Sequence, residues 1–320
     1  MSFSTEIKAE LQSIKQLNCC NKSELSALLH IGGSIEMNNH GLNLVFQTTN
    51  NAVIRRFMIL LKSLYKIDLT LLKKHTQKLR KHDIFIVKIS EQVDFLLSDL
   101  SLMNESAVFF QEVDDRIIEK ECCKRAYLRG AFLAAGSCNS PETSAYHLEI
   151  QAFSETQANV IKDIANYFNL NAKVVKNKRG YIAYLKEAER IADFLKVIGA
   201  NNSLFKFEDS RIKRDFKNSI NRVINCDIAN EKKALDAAIK QLEYIEIIEK
   251  RYNKNLSKSM EEAIFLRKKY PDSSLLELSY ASLEHYDKQI SKSALNHRFR
   301  AIKDLANKAL IEGVVKWLLV

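Results

Sequence analysis

Cys19-Cys20-Asn21-Lys22-Ser23-Glu24-Leu25-Ser26-Ala27-Leu28-Leu29-His30-Ile31-Gly32-Gly33-Ser34 and Cys122-Cys123-Lys124-Arg125-Ala126-Tyr127-Leu128-Arg129-Gly130-Ala131-Phe132-Leu133-Ala134-Ala135-Gly136-Ser137 are one pattern written twice, at a constant offset of 103 residues (19 to 122). Both open on a Cys pair and close on Gly-Ser, with apolar or small residues between them at helical spacing. One helix used twice is the simplest account. The segments after the two copies also match. A short hairpin is expected, turning at Asn38-Asn39-His40-Gly41 in the first copy and at Pro141-Glu142-Thr143-Ser144 in the second. In the stretch 146–152, Tyr146, Leu148, Ile150 and Ala152 alternate with polar residues, the pattern of a strand with one buried and one wet face. A helix comes next in each copy, at about 51–65 and 155–168, then a basic segment, a second strand pair and a closing helix marked by Asp94-Phe95-Leu96 and Asp193-Phe194-Leu195. The expected fold class is α+β: two half-domains of order helix, two strands, helix, two strands, helix, then an all-α unit. A period near 100 residues is too long for a solenoid and implies a duplicated half-domain with pseudo-twofold symmetry.

Within the second copy, Leu128-Arg129-Gly130-Ala131-Phe132-Leu133-Ala134-Ala135-Gly136 resembles the LAGLIDADG helix of homing endonucleases. Ala126, Gly130 and Ala134 recur every fourth position on one helix face, small enough to let two backbones approach across the pseudo-twofold axis. In that nuclease family the metal-holding acid stands just before the motif's final glycine, once per copy. The resemblance puts Gly32 and Ala135 at those positions. Such cleavage needs carboxylates that face each other and hold Mg²⁺, and neither residue has a side-chain oxygen. Glu36 lies nearby, but its counterpart at the same offset is Asn139, so no symmetric pair forms. No catalytic residues are expected, and a hidden nuclease is the least favoured reading. The basic segments are Lys73, Lys74, Lys78, Arg80 and Lys81 in one copy and Lys173, Lys176, Lys178 and Arg179 in the other. They read either as secondary phosphate contacts on a shared face or as solvated hairpin tips.

Lys and Arg outnumber Asp and Glu by 49 to 39, a net charge of +10 and a sequence pI of about 9.1, which favours a polyanionic partner. Only two prolines and eight glycines occur in 320 residues, so helices joined by short turns should dominate. Met1 to Glu10 contains Glu6, Lys8 and Glu10 and lacks the apolar core of a signal peptide. No stretch reaches the ~20 apolar residues of a membrane span, and a cytoplasmic protein is expected. The six cysteines fall as Cys19-Cys20, Cys122-Cys123, Cys138 and Cys226, without C-x-x-C pairs or the neighbouring histidines that zinc sites commonly use. They read as buried small apolar groups in a reducing compartment, with no metal and no other cofactor expected.

After Phe207 the pattern becomes helical. Arg211-Ile212-Lys213-Arg214-Asp215-Phe216-Lys217-Asn218-Ser219-Ile220-Asn221-Arg222 is either a basic strip along a nucleic-acid backbone or a solvated linker face. A long helix comes next, with Leu235, Ala238, Ile239, Leu242, Ile245 and Ile248 on one stripe. From Ser259 a three-helix unit reads as Met260 to Tyr270, stopped by Pro271, then Ser274 to about Leu283, then Ser291 to about Asn307. Ser274 and Ser291 are the expected caps. The third helix carries Ser291, Lys292, Ser293, Asn296, His297, Arg298 and Arg300 near its start, while Leu295, Phe299, Ile302 and Leu305 form the opposite, core-facing stripe. That is the arrangement of a recognition helix, in which Asn and Arg reach base edges and Ser or Lys hold phosphate.

Taken together, the chain resembles the WhiA regulators. The resemblance rests on Ser2-Phe3-Ser4, the Cys-Cys helices, Tyr184-Leu185-Lys186-Glu187-Ala188-Glu189, Ser219-Ile220-Asn221-Arg222-Val223-Ile224-Asn225-Cys226 and Ile290-Ser291-Lys292-Ser293-Ala294-Leu295-Asn296-His297-Arg298-Phe299-Arg300. It implies a degenerate LAGLIDADG domain, a C-terminal helix-turn-helix and a role in bacterial cell division, chromosome segregation and transcription regulation. The residues before Ser291 depart from the family in lacking prolines, and the apolar tail Val314 to Val320 is added. The expected domains are 1–104 and 105–206 for the two repeats, 207–255 for a helical linker and 256–320 for the helix-turn-helix. Expected partners are double-stranded DNA and other regulatory or division proteins, for a monomer associated with the nucleoid. A promoter-selecting regulator and a broad nucleoid or division DNA binder both satisfy these residues.

Overall fold

The computed structural model describes residues 2–38, 41–67, 69–75, 83–103, 109, 113–143, 145–251 and 256–317, with the backbone alone at 38, 251 and 312–317. The chain divides into two compact units, Met1–Asp215 and Phe216–Val320.

The first unit opens on α1 (Phe3–Leu11), capped by Ser2, whose Oγ accepts from the Thr5 amide at 3.3 Å. The first half-domain continues as α2 (Asn18–Gly32), β1 (Gly33–Asn38), β2 (Gly41–Thr48), α3 (Asn51–Leu64), β3 (Thr70–His75), β4 (Asp83–Ile89) and α4 (Val93–Asp99). A single turn, α5 (Asp115–Ile118), leads into the second: α6 (Glu121–Ala135), β5 (Gly136–Cys138), β6 (Leu148–Ala152), α7 (Glu155–Tyr167), β7 (Lys173–Asn177), β8 (Gly180–Leu185) and α8 (Ala188–Ile198). The repeated order is the expected one. Each half builds a four-stranded antiparallel sheet with the same strand order, β1-β2-β4-β3 and β5-β6-β8-β7.

Local chemistry sets the boundaries. Asn50 Oδ1 accepts from the amides of Ala52 at 2.9 Å and Val53 at 3.3 Å and starts α3. Ser154 and Gln157 form a reciprocal capping box on α7. Gly199, at φ +84°, ends α8 in the left-handed region that favours glycine. Along β6, Leu148, Ile150 and Ala152 are buried and Glu149 and Gln151 partly exposed, as the alternation requires. The second hairpin differs from its expected form, since β5 ends at Cys138 and β6 begins at Leu148, not Tyr146; Asn39, His40 and Ser144 of the two expected turns lie outside the described residues. Tyr146 leaves the sheet to pack against Phe207, ring centroids 5.6 Å apart.

The two halves meet along α2 and α6 and share one apolar core, including Leu28, Leu29, Phe46, Phe57, Leu128 and Phe132. A Cβ on Gly130 would lie 2.4 Å from the Glu24 carbonyl oxygen and 2.8 Å from the Ala27 Cβ, so the expected close approach is real and needs glycine there. Beside that contact sits a buried charge cluster. Glu24, fully buried, accepts from Arg56 Nε at 2.7 Å and Nη2 at 2.9 Å, and from Arg129 Nη1 at 3.1 Å. Arg129 also donates Nε–H to the Ile198 carbonyl at 2.7 Å, so one carboxylate ties α2, α3, α6 and the end of α8 together.

A single helix, α9 (Asn201–Arg251), contributes to both units. Its first turn is capped by Glu10, which accepts from the Asn202 and Ser203 amides at 2.7 and 2.9 Å, and its Phe207 lies in the first core. Leu235 and Ile239, expected on its apolar stripe, are exposed, whereas Ala238, Ile245 and Ile248 are buried. The second unit's core combines Ile245 and Ile248 with α10 (Lys258–Lys269), α11 (Leu275–Tyr286) and α12 (Lys292–Trp317). The last turns of the segment expected to be a linker, 207–255, therefore belong to this core.

Candidate nucleic-acid interface

The second unit positions α12 through its connection to α11. Ser274 caps α11 in a reciprocal box with Glu277, and Asp287, at φ +50°, turns the chain out of that helix. Ser282 Oγ, buried, accepts from the Ile290 amide at 2.8 Å, and Gln289 donates to Ser279 Oγ at 3.3 Å, pinning the turn to α11. Ser291 Oγ then accepts from the Ala294 amide at 3.2 Å, which makes Ser291 the cap of α12 as expected.

Along α12, Leu295, Phe299 and Ile302 are buried in the core, while Lys292, Ser293, Asn296, His297 and Arg300 are exposed. Ser293, Asn296, His297 and Arg300 recur at three and four residues and form one continuous face. The free amides of the first turn add a positive potential beside Lys292. Arg298 departs from the expected set. Its Nη1 donates to Glu262 of α10 at 2.9 Å, and both side chains are only 21% exposed, so it fastens α12 to α10 and does not share the open face.

In the first unit, the strand register divides the lysines that were expected on one face. Lys73 stands opposite Phe85, on the same side of the sheet as buried Val87 and Ile89, with its Nζ 5.9 Å from the Phe85 ring. Lys73 also pairs with Asp83 at 2.8 Å. Lys74, one position on, faces the other side of the sheet. In the second half Lys176 stands opposite Tyr181 and Lys173 opposite Tyr184, again on opposite faces. Lys74, Lys173, Lys176, Lys178 and Arg179 are exposed. Lys78, Arg80 and Lys81 lie outside the described residues.

At the carboxyl ends of α2 and α6 stand Gly32 and Ala135. A Cβ on Gly32 would meet the Phe46 ring at 2.9 Å, so even an alanine there requires that ring to shift. The amino ends of the same two helices hold something that spacing alone did not disclose. The Sγ atoms of Cys19, Cys20, Cys122 and Cys123 all lie within 4.8 Å of one another. Burial, and then the hydrogen bond to Cys122, raise the Cys20 thiol well above the ordinary range; burial, and then Cys19, push Cys123 up to about 12. Cys122 is shifted the other way, chiefly by the hydrogen bond from Cys20. Of the six cysteines expected to be buried small groups, Cys20, Cys123 and Cys138 are buried, Cys19 and Cys122 are half-buried and Cys226 is exposed on α9; the duplication places the two pairs against each other.

Family models cover most of the chain: the WhiA N-terminal LAGLIDADG-like domain matches residues 18–103, the WhiA LAGLIDADG-like domain 124–217 and the WhiA C-terminal HTH domain 220–306. Proteins named probable cell division protein WhiA from Bacillus cereus (strain AH187) and Bacillus anthracis (strain CDC 684 / NRRL 3495) are each 43% identical over 309 residues, 96% of this chain and 97% of theirs. The chain belongs to the WhiA family. Its fold is that of the full-length DUF199/WhiA from Thermatoga maritima, with a TM-score of 0.58 at 23% identity, covering 96% of this chain and 99% of that one. The N-terminal LAGLIDADG domain of DUF199/WhiA is similar at a TM-score of 0.50 and 25% identity, over 62% of this chain and 90% of that one. No helix among the described residues is long and apolar enough to cross a membrane.

The WhiA helix-turn-helix match begins at residue 220, on α9. That agrees with the packing, because Arg267 of α10 reaches back to Gln241 of α9 at 3.0 Å. Arg267 is 1% exposed and donates to the carbonyls of Tyr270 and Pro271, both at 3.2 Å, and Ser273 at 2.5 Å. This guanidinium organises the turn before α11, a role concealed by its place in the basic run Arg267-Lys268-Lys269.

Proposed function

We propose that this WhiA-family chain acts in bacterial cell division as a transcription regulator that selects promoter DNA with the open face of α12. The observation that carries the reading is that face: Ser293, Asn296, His297 and Arg300 stand exposed behind a capped, positively polarised helix start, while the opposite stripe is buried. Asn and Arg supply paired hydrogen bonds to adenine and guanine edges in the major groove. In this reading Lys292 and the Ser291 hydroxyl hold phosphate. Arg298 works in this reading by holding α12 in register.

The LAGLIDADG-like unit serves in this reading as a non-cutting scaffold, because Gly32 and Ala135 offer a metal ion no side-chain oxygen. Its internal duplication supplies within one chain the symmetry that a nuclease-type dimer takes from two copies, which supports a monomer. Lys74, Lys173, Lys178 and Arg179 add salt-dependent phosphate contacts without sequence information. Six cysteines with no disulfide among them fit a reducing cytoplasm.

Genome-wide mapping of bound sites, and then competition of the recovered sites against excess random duplex, tests the proposal. Discrete promoter sites that stay bound under competition are expected. Uniform occupancy with no surviving site would replace the regulator with a broad nucleoid binder concerned with chromosome segregation.

A further inference from the structure

Cys19 and Cys20 occupy the second and third positions of α2, and Cys122 and Cys123 the same positions of α6. Within each pair the sulfurs stand 3.9 and 4.0 Å apart, and the whole set spans no more than 4.8 Å. A tetrahedral ion bound to thiolates at about 2.3 Å holds its sulfurs about 3.8 Å apart. The four sulfurs therefore need only small side-chain rotations to meet that geometry. A sulfide-bridged iron cluster keeps its cysteines on opposite sides of an inorganic core, which this compact set does not accommodate. The separations are also roughly twice the ~2.05 Å of a disulfide bond, and all four cysteines are free. We propose that Cys19, Cys20, Cys122 and Cys123 bind a single Zn²⁺ ion, clasping the amino ends of α2 and α6.

The surroundings suit such an ion. Neither helix start carries a side-chain cap, since Leu17 and Lys120 make none, so first-turn amides remain to stabilise thiolate. Ser23 Oγ donates to the Cys123 carbonyl at 2.7 Å and holds the two helices in register beside the sulfurs. Cys19 and Cys123 line a cavity of about 260 Å³ together with Lys22, Asp99 and Arg116, which gives the ion a path from solvent; Lys22 is paired there with Asp99 at 2.7 Å and Arg116 with Asp114 at 2.5 Å. Cys20 and Cys123 are buried and Cys19 and Cys122 half-buried, so each helix contributes one inner and one outer ligand. Four thiolates select a soft ion over Mg²⁺ or Ca²⁺. Binding exchanges four S–H protons for Zn²⁺: four thiols and one Zn²⁺ give a tetrathiolate complex of charge −2 and four H⁺. No oxidation is involved.

The site lies at the opposite end of α2 from Gly32, roughly 20 Å along the helix axis at 1.5 Å per residue. It closes a loop of about 100 residues between the halves and stabilises the folded chain by mass action.

Reduced, metal-depleted full-length protein titrated with Zn²⁺ and, separately, Co²⁺ tests this. One ion per chain is expected, with thiolate charge-transfer and the visible d–d bands of tetrahedral Co²⁺. The thermal midpoint should rise on loading and return with chelator. Cys226→Ser should behave as the parent, whereas replacing all four clustered cysteines by Ser should abolish the bands. Should that variant fail to fold, alkylation mapping of the parent decides: Zn²⁺ should protect Cys19, Cys20, Cys122 and Cys123 and leave Cys226 reactive. Substoichiometric binding, Co²⁺ spectra without thiolate bands, or equal alkylation with and without Zn²⁺ would overturn the proposal.

Discussion

Arg298 and Asn296 are two residues apart on α12 and face different tasks. Asn296 is exposed, so its truncation removes nothing from the fold. Arg298 closes a partly buried ion pair with Glu262, and its loss leaves that carboxylate unpartnered near Tyr286, whose hydroxyl is held above its ordinary range by burial first and Glu262 second. Arg298→Ala is expected to cost on the order of 1–2 kcal/mol of stability, whereas Asn296→Ala stays within about 0.5 kcal/mol. Chemical denaturation of both variants checks the split; equal midpoints would return Arg298 to the reading face. The helical period hints at this role: position 298 lies three after buried Leu295 and four before buried Ile302, at the edge of the core stripe. The acidic partner on α10 was not legible, because a pairing between helices leaves no period in the sequence.

At the scale of elements, the repeat was legible because the same apolar and small residues recur at one offset, and the hairpin and alternation signals then give the sheets. Three features were not. Glu24 and Arg129 sit on core-facing helix surfaces where sequence alone favours apolar residues, and they are tolerated only because three chain segments converge on one carboxylate. The strand register, which separates Lys73 from Lys74 and Lys173 from Lys176, is set by pairing and not by the basic composition of the segments. The cysteine cluster needs the pseudo-twofold packing of α2 on α6 before two ordinary Cys-Cys pairs become four neighbours. That packing depends on Gly130. Gly130→Ala places a Cβ against the Glu24 backbone and is expected to destabilise the first unit by about 1–3 kcal/mol. A thermal scan of the purified variant tests it, and an unchanged midpoint would mean that the helices do not meet as described.

For the whole molecule, charge and architecture point the same way without being equivalent evidence. A net charge of +10 gives general attraction to a polyanion, which any basic protein shares. Selectivity has to come from a defined surface, and in the proposed function this is the exposed face of α12, with α9, α10 and α11 packed behind it. The first unit keeps the duplicated LAGLIDADG-like fold, and in the proposed function, with Gly32 and Ala135 where the resemblance puts the metal-holding acids, its contribution is positional. The most direct measurement is a fluorescence-anisotropy titration of the full-length chain and its Asn296→Ala/Arg300→Ala double variant, on a mapped site and on random duplex at matched salt. The double variant is expected to lose at least about tenfold in affinity on the mapped site and less than about threefold on random duplex. Unchanged affinity for the mapped site, or an equal loss on both duplexes, would contradict it.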